Sequence, residues 1–248
     1  MSGPVQDDWY SMCERWRSLT LEHFEPLSES KCNEILEDTL QEIKTHKLPE
    51  GMKETDSSGW QDWAQLDHDE HYVRFMTRKT LPAELKQLVD HSWSIYQDAD
   101  LYKKYHNGDK CELFLQIVQQ VSPDVMVLQS VEKYPDLEQL THSLSLVFRV
   151  QTETGYLIIV RAIESPQLFN SMKAEGLSLS GNFFWDTFEV AHRNARGECD
   201  AVRYTLAGSI GSDNPTYARR MRDEILIALK RAENQFKDES ILLVDPNG

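Results

Sequence analysis

The N-terminal part of the chain carries apolar side chains at three- and four-residue intervals, the period of an amphipathic helix. The first stripe consists of Trp9, Met12, Cys13, Trp16 and Leu19. Pro26 interrupts the pattern, because proline lacks the backbone N–H that a helix requires. A second stripe, which Ser28 or Ser30 could cap, consists of Cys32, Ile35, Leu36, Leu40 and Ile43. Two short helices cannot bury their apolar faces alone, so we expect them to pack on the main domain or on a partner.

Beyond Trp60 the pattern changes to the alternation that is typical of strands. It predicts a strand at 72–79, a helix over the apolar stripe at 85–96 and a short helix at 98–105. Six further strands, mostly separated by proline or glycine, are predicted at 111–121, 125–134, 143–152, 156–165, 181–191 and 199–208. The longest gap, 166–180, could hold a loop with a helical turn.

A long amphipathic helix is predicted near the C-terminus, with Asp213 or Asn214 as N-cap and Pro215 in its first turn. Its apolar face runs from Tyr217 to Phe236 and includes Met221, Ile225, Ala228, Leu229 and Ala232. This element order predicts an α+β fold, in which a curved seven-stranded antiparallel sheet surrounds the helix. We divide the chain into an acidic helical extension with a linker (1–58), a main domain (59–238) and a tail (239–248).

Charge is unevenly distributed along the 248 residues, whose formal net charge is −15. Residues 1–70 hold 17 acidic and 6 basic residues, whereas the remainder holds 24 acidic and 20 basic ones. The excess of acidic residues argues against a nucleic-acid partner and against polybasic attachment to anionic membranes. No apolar run approaches the length that spans a bilayer, so we expect no stable membrane insertion.

The cysteines and the N-terminus bear on the compartment. Cys13, Cys32, Cys111 and Cys199 lie far apart and include no CxxC pair, which favours reduced thiols over a disulfide framework or a zinc site. The first residues lack the basic and apolar regions of a signal peptide. We therefore expect a cytoplasmic protein.

Three segments carry a resemblance to a known family. They are VRFMTRKTLPAELKQLVDHSW, YLIIVRAIESP and CDAVRYTLAGSIGSDNPTYARRMRDEILIALKRAE. In element order and apolar spacing the chain resembles the helix-grip fold of the START and Bet v 1-like superfamily, from about Trp60 to Phe236. The resemblance implies a tunnel under the C-terminal helix that encloses one hydrophobic molecule, such as a lipid, and it implies no cofactor.

Candidate ligand-binding residues follow from this resemblance. On the final helix they are Met221, Ile225, Ala228 and Leu229, and small residues such as Ala228 would either leave volume for a ligand or let the helix approach the sheet closely. Trp185 and Glu189 belong to one alternating set of strand 181–191, and alternation alone does not tell which set faces inward.

Arg149 and Arg161 interrupt otherwise apolar strands. A buried arginine is costly unless it is paired, so inside a tunnel either would bind a polar headgroup, with Glu189 as a possible partner. Alternatively, both point to solvent from an exposed face of the sheet. We take the hypothesis that Arg161 orients the polar end of a ligand as the one to test.

Two motifs could form a metal site or a phosphate site, but a turn and a loop are the favoured interpretations. The cluster Asp67–His71 (DHDEH) could offer metal ligands, yet it is also typical of a solvated acidic turn, and we predict no metal site. The segment GSIGS at 208–212 could hold a phosphate, but it lacks the Walker lysine and would serve as a strand-to-helix loop. No GxSxG, HExxH or P-loop pattern is present.

We therefore predict a non-enzymatic protein that binds a lipid or another apolar molecule for transport or sensing. The alternatives are an interaction scaffold with a filled core, acting through helices that carry Trp9 and Trp16, and an enzyme of the wider superfamily. A continuous tunnel of about 300 Å³ or more would favour ligand binding, and a tightly packed core would favour the scaffold. An enzyme would require an acid–base pair with perturbed pKa values in the tunnel.

Overall fold

The computed structural model describes residues 8–46, 53–54, 59–107 and 111–242. The helices are α1 (Trp9–His23), α2 (Glu29–Thr45), α3 (Leu85–Ile95), α4 (Ala99–Tyr102), α5 (Pro166–Ala174) and α6 (Pro215–Asp238), and a π-helical turn (Lys103–Asn107) follows α4. The strands are β1 (Lys53–Glu54), β2 (Gln61–Leu66), β3 (Tyr72–Leu81), β4 (Glu112–Ser122), β5 (Val125–Lys133), β6 (Thr141–Gln151), β7 (Gly155–Ala162), β8 (Ser178–Arg193) and β9 (Cys199–Ser212).

All nine strands form one sheet in the order β1-β2-β3-β9-β8-β7-β6-β5-β4. Neighbouring strands are antiparallel, and a short parallel pairing joins the start of β8 to the start of β6. The junction between β3 and β9 brings the first and last parts of the sheet together, with Tyr72 opposite Gly211 and Leu81 opposite Val202. The α+β class and the antiparallel sheet around a long C-terminal helix are confirmed.

In the described part of the chain the sheet has nine strands rather than the predicted seven. The two additional strands, β1 and β2, lie at one edge of the sheet. The side chains of β2 are exposed or only partly buried, which weakens the apolar alternation that identifies a strand. A second difference concerns Gly208–Ser212, predicted as a loop: these residues continue β9 and pair with β3 on one side and β8 on the other. Most of the predicted linker lies outside the described residues.

Each face of the sheet packs against its own helices. The inner face packs against α3 and α6 and contributes Phe184 and Phe188 from β8 to one core. The outer face contributes the alternate residues Phe183 and Trp185 to a second core, which includes side chains of α1, α2 and α5. Because side chains alternate along a strand, each strand supplies both cores.

The extension is held to the outer face by aromatic packing and by hydrogen bonds. Trp16 is buried, and its ring centroid lies 5.3 Å from that of Trp9 and 5.9 Å from that of Phe114. The side-chain amide of Gln119 accepts a hydrogen bond from the backbone N–H of Leu27 and donates one to its carbonyl, both at 2.8 Å. The expectation that the two helices pack on the main domain is met by these contacts.

Local caps fix the helix ends. The Ser28 hydroxyl accepts from the backbone N–H of Lys31 at 3.2 Å, and the Asn214 side chain accepts from that of Thr216 at 3.0 Å, with Pro215 in the first turn of α6. After α6, Leu242 pairs with Ala83, so the start of the predicted tail lies against the domain. Within the described residues, no helix is both long and apolar enough to cross a bilayer.

Candidate ligand-binding site

A cavity of about 120 Å³ lies between the inner face of the sheet, α3 and α6, and we call it the α6 cavity. From α6 it is lined by Met221, Ile225, Ala228, Leu229, Ala232 and Phe236. The sheet contributes Phe75, Glu132, Phe184, Asp186, Tyr204 and Ile210. Its volume is smaller than the roughly 300 Å³ that would mark a preformed lipid tunnel.

The α6 side of the cavity is mostly apolar and includes small residues, and Glu224 is the acidic residue on this side. Met221, Ile225 and Leu229 follow one another at four-residue steps, so they lie on one face of the helix. Ala228 and Ala232 also line the cavity, and their short side chains leave space between helix and sheet. Four of the eight candidate residues, Met221, Ile225, Ala228 and Leu229, therefore lie on the cavity wall.

Asp186 places a buried carboxylate in the cavity wall. The side chain is 6 % exposed, and the hydroxyl of Tyr204 donates to Oδ1 while that of Tyr96 donates to Oδ2 at 3.3 Å. Burial raises the pKa of Asp186 to about 6, although the hydrogen bonds from Tyr204 and Tyr96 partly oppose the shift. Burial and the adjacent carboxylate raise the tyrosine pKa values well above 10, so both hydroxyls remain neutral donors.

Glu132 forms a second buried carboxylate in the cavity wall. Its Oε2 accepts hydrogen bonds from the hydroxyls of Tyr134 at 3.0 Å and Tyr217 at 3.3 Å. Burial raises the pKa of Glu132, whereas the two tyrosines and the nearby Arg220 lower it. Each carboxylate thus lies between two tyrosines, in a chemically similar arrangement.

The structure places the other four candidate residues away from the cavity. Trp185 and Glu189 belong to the outward set of β8, and Glu189 pairs with Arg203 at 3.7 Å rather than with either candidate arginine. Arg161 also lies on the outer face, where Nη1 donates to Glu42 of α2 at 2.7 Å and the guanidinium lies 4.4 Å from the centroid of Phe183. Arg161 is therefore not available in this structure to orient a ligand in the α6 cavity.

Arg149 lies at the end of β6, beside α3. Its Nε donates to Asp124 at 2.6 Å, its Nη1 donates to Asp90 at 3.0 Å, and its guanidinium lies 5.2 Å from the ring centroid of Trp93. These contacts join the β5–β6 hairpin to α3. The long-range acidic partners of both arginines could not be recognised from the local sequence pattern.

Sequence reasoning missed Glu132 and did not single out Asp186. The only feature of the sequence that could have identified these two residues was a carboxylate within a largely apolar strand, such as Asp186 in the segment FFWDTF. The same signal made the arginines candidates, because strand alternation does not tell which face is enclosed. Tyr134 is only two residues from Glu132. The other three tyrosine partners come from the C-terminal cap of α3, from α6 and from β9, and only the folded chain brings them to the carboxylates.

The acidic cluster Asp67–His71 forms the turn between β2 and β3. Its His68 side chain is exposed beside Asp69, while Nδ1 of His71 lies 2.9 Å from the carbonyl oxygen of Ser212. In the part of the chain that the structure describes, no group of three or more side chains is arranged to hold a metal ion.

Comparisons with known proteins bear on the fold. No family model matches the chain, and no curated protein matches it in sequence. The solved structure of human StAR-related lipid transfer protein 5 is similar with a TM-score of 0.55 and 12 % identity, over 84 % of this chain and 99 % of that one.

Two further human structures are similar over 86 % of this chain at 11 % identity. The StarD13 (DLC2) lipid transfer and protein localization domain has a TM-score of 0.53 and is covered over 98 % of its length. STARD10 has a TM-score of 0.51 and is covered over 81 %. Together with the nine-strand order and the enclosed C-terminal helix, these likenesses show that the chain has the START-like helix-grip fold.

Proposed function

We propose that the chain binds a lipid or another hydrophobic small molecule in the α6 cavity, for transport or sensing, without catalysing a reaction. The cavity itself supports the proposal, because its lining is mostly apolar and includes a few polar groups. The similar human structures whose names include lipid transfer support the same class of ligand.

The size of the cavity makes α6 the element that must respond to a ligand. A volume of about 120 Å³ accommodates a short aliphatic segment but not a whole lipid. Ala228 and Ala232 carry small side chains where α6 lines the cavity. We propose that α6 moves outward when a larger ligand binds.

The polar groups of the α6 cavity favour ligand binding over acid–base catalysis. Asp186 and Glu132 have raised pKa values, which an acid–base mechanism would also need. Each, however, already accepts hydrogen bonds from two tyrosines, an arrangement that fixes a carboxylate as an acceptor for a ligand donor. We propose no cofactor.

Native mass spectrometry of the protein purified from its own source tests this function. A co-purifying apolar molecule is the expected result. The variant Ala228→Phe would fill the cavity and should lose this molecule, whereas Ile227→Phe, on the exposed side of the same helix, should keep it. An equally loaded Ala228→Phe protein, verified as folded by circular dichroism, would exclude the α6 cavity as the site.

An interaction scaffold is the second candidate, favoured by the small cavity volume. Its contact surface would be α1, where Tyr10 and Leu21 are 73 % and 82 % exposed. The full-length variant Tyr10→Asp with Leu21→Asp should then lose a protein partner while retaining any bound ligand. If neither the wild type nor its variants carry an apolar molecule, the scaffold is the better interpretation.

The remaining proposals concern setting and partners. The net charge of −15 supports the absence of a nucleic-acid partner. We also propose a cytoplasmic location and no stable membrane insertion. The wide spacing of the four cysteines, without a CxxC pair, supports a reducing compartment.

A further inference from the structure

The α6 cavity is unusually rich in carboxylates for an apolar site. Of the described side chains that line it, Glu132, Asp186 and Glu224 are acidic, and none is a lysine, arginine or histidine. A ligand with a carboxylate or phosphate head would therefore meet like charges in a poorly solvated space. The charge on the cavity wall favours a ligand whose polar end is a donor or a cation.

Two of the three carboxylates have an arginine beside them. Glu224 lies 3.3 Å from Nη2 of Arg220 and 3.4 Å from Nη2 of Arg231. Arg220 also lowers the pKa of Glu132, although burial raises it. The charges of Glu132 and Glu224 are thus compensated by side chains of α6.

Asp186 differs from both. Its described partners are the neutral hydroxyls of Tyr96 and Tyr204, and no lysine, arginine or histidine in the described part of the chain forms an ion pair with it. A carboxylate offers about four lone-pair positions. Two tyrosine donors leave the others available at the cavity wall.

We propose that the ligand of the α6 cavity carries a protonated amine that donates hydrogen bonds to Asp186, with its aliphatic part along α6. This inference rests on the proposed function and names the chemical class of its ligand. An ammonium group supplies the missing positive charge and up to three N–H donors, and Tyr204 and Phe184 provide aromatic rings that can attract a cation. Met221, Ile225 and Leu229 provide the apolar surface for the tail.

A series of ligands with one tail and three head groups tests the proposal. Hexylamine, 1-hexanol and hexanoate share a six-carbon chain that suits a cavity of about 120 Å³. At pH 7.5 they present a cation, a neutral hydroxyl and an anion. Their affinities can be measured on the full-length, isotope-labelled protein by titration in NMR spectra, which detect millimolar binding.

The wild-type protein should bind hexylamine at least tenfold more tightly than 1-hexanol, and hexanoate most weakly. Asp186→Asn should remove the preference for the amine while leaving 1-hexanol binding within about threefold of wild type. Glu189→Gln is the matched control, because Glu189 lies on the same strand but faces the opposite side and pairs with Arg203. This control should retain the order of affinities.

The outcomes separate this inference from the proposed function. Equal binding of the three ligands to the wild type would overturn the amine proposal and leave binding of apolar molecules intact. Binding of none of them at the α6 cavity, judged from the resonances that shift, would contradict both. If Asp186→Asn still prefers hexylamine, the amine proposal is also overturned. If that variant does not fold, the affinities of the wild-type protein for the three ligands still test the proposal.

Discussion

Nε1 of Trp60 donates a hydrogen bond to Oε2 of Glu233 at 2.9 Å, although 173 residues separate them along the chain. Nζ of Lys79 donates to the same oxygen at 2.6 Å, and Nζ of Lys237 lies 2.8 Å from Oε1. Trp60 precedes β2, Lys79 lies on β3 and Glu233 lies on α6. This single carboxylate therefore fastens the enclosing helix to one edge of the sheet.

Replacement of Glu233 by Gln should lower the free energy of unfolding by about 1–3 kcal/mol, since hydrogen bonds to a charged group are lost from a buried site. Burial alone would raise the pKa of Glu233, but hydrogen bonds from Lys237, Lys79 and Trp60 lower it below 4.5. The stabilisation is present above pH 4.5 and is lost as the pH falls through the lowered pKa. Urea denaturation at pH 7 and pH 4 measures both effects.

The exposed Asp223 on the same helix pairs only with its neighbour Arg222 among the described ion pairs, so Asp223→Asn is the control. It should change the stability by less than about 0.5 kcal/mol. Equal effects of Glu233→Gln and Asp223→Asn would show that Glu233 does not fasten α6.

Replacement of Asp186 by Asn should stabilise the protein at neutral pH. The folded-state pKa of about 6 exceeds the ordinary 3.8, so the folded protein binds the proton more tightly, and the contribution of Asp186 to wild-type stability decreases as the pH rises from 3.8 to 6. A pKa shift of this size changes the free energy of unfolding by about 3 kcal/mol across this pH range. The gain in the free energy of unfolding of Asp186→Asn over the wild type should be largest above pH 6 and should vanish below pH 3.8. Urea denaturation at several pH values measures it.

Asp69→Asn serves as the control for this measurement, because Asp69 is an exposed residue of the β2–β3 turn. Its stability should follow that of the wild type at every pH. A destabilised Asp186→Asn protein at pH 7 would contradict the assignment of Asp186 as a charged residue kept for ligand binding.

His142 should have the opposite pH dependence. It is fully buried on β6, where Nε2 of Gln129 donates to its Nε2 at 3.0 Å, since Oε1 of Gln129 already accepts from Thr20 and Gln116. Burial lowers the pKa of His142 to about 4 from 6.5, so the contribution of His142 to stability decreases as the pH falls from 6.5 to 4.

The shift of His142 again corresponds to about 3 kcal/mol, and His142→Gln should remove this sensitivity to acid. In the wild type the contributions of Asp186 and His142 largely offset each other between pH 4 and 6. Each single variant should therefore show a steeper pH dependence than the wild type, which urea denaturation across this range would measure. Parallel pH profiles of both variants and the wild type would refute the two assignments.

Gly208 should not tolerate a side chain. Its φ of +148° is rare for other residues, and a Cβ would lie 2.2 Å from the carbonyl oxygen of Phe183 on the neighbouring strand. We expect Gly208→Ala to cost about 3 kcal/mol or more. Gly181, also in a strand, has no atom within 4 Å of a Cβ, so Gly181→Ala should change the melting temperature little. Similar melting temperatures for the two variants would contradict this prediction.

Trp16 should contribute far more to stability than another aromatic residue of α1. Trp16→Ala removes a buried ring from the outer core and should lower the free energy of unfolding by about 3–5 kcal/mol. Tyr10→Ala affects an exposed ring and should change it by less than about 0.5 kcal/mol. Chemical denaturation compares the two, and limited proteolysis should detect earlier cleavage in α1 of the Trp16 variant. Equal resistance to cleavage would mean that the extension does not depend on this anchor.

Helical periodicity was sufficient to predict which face of α6 is buried, whereas a cavity beside that face was implied by the resemblance to the helix-grip fold. Met221, Ile225 and Leu229 repeat with the helical period, and an amphipathic helix buries its apolar face wherever it packs. Ser28 and Asn214 were likewise recognisable as caps, because a cap depends only on residues within the first turn.

The sheet side could not be predicted in the same way. Alternation in β8 defines two sets of residues, and the choice between them depends on which helices cover which face. Arg161 illustrates the difficulty, since its partner Glu42 lies 119 residues away on a helix of the opposite face. Asp186 shows the converse, because its enclosure depends on Tyr96 and Tyr204, which come from α3 and β9.

Because both faces of the sheet are packed, odd- and even-numbered positions of a strand contact different parts of the protein, and their variants should have different effects. Phe184, Asp186 and Phe188 lie on the inner face, where the first two line the α6 cavity, and the odd-numbered Phe183 and Trp185 lie on the face that packs against the extension. In a mutational scan of β8, neighbouring positions should therefore affect different properties: ligand occupancy for the even positions, and attachment of α1 and α2 for the odd ones. A ligand-dependent movement of α6 need not disturb the extension, because a layer of hydrogen-bonded backbone separates them.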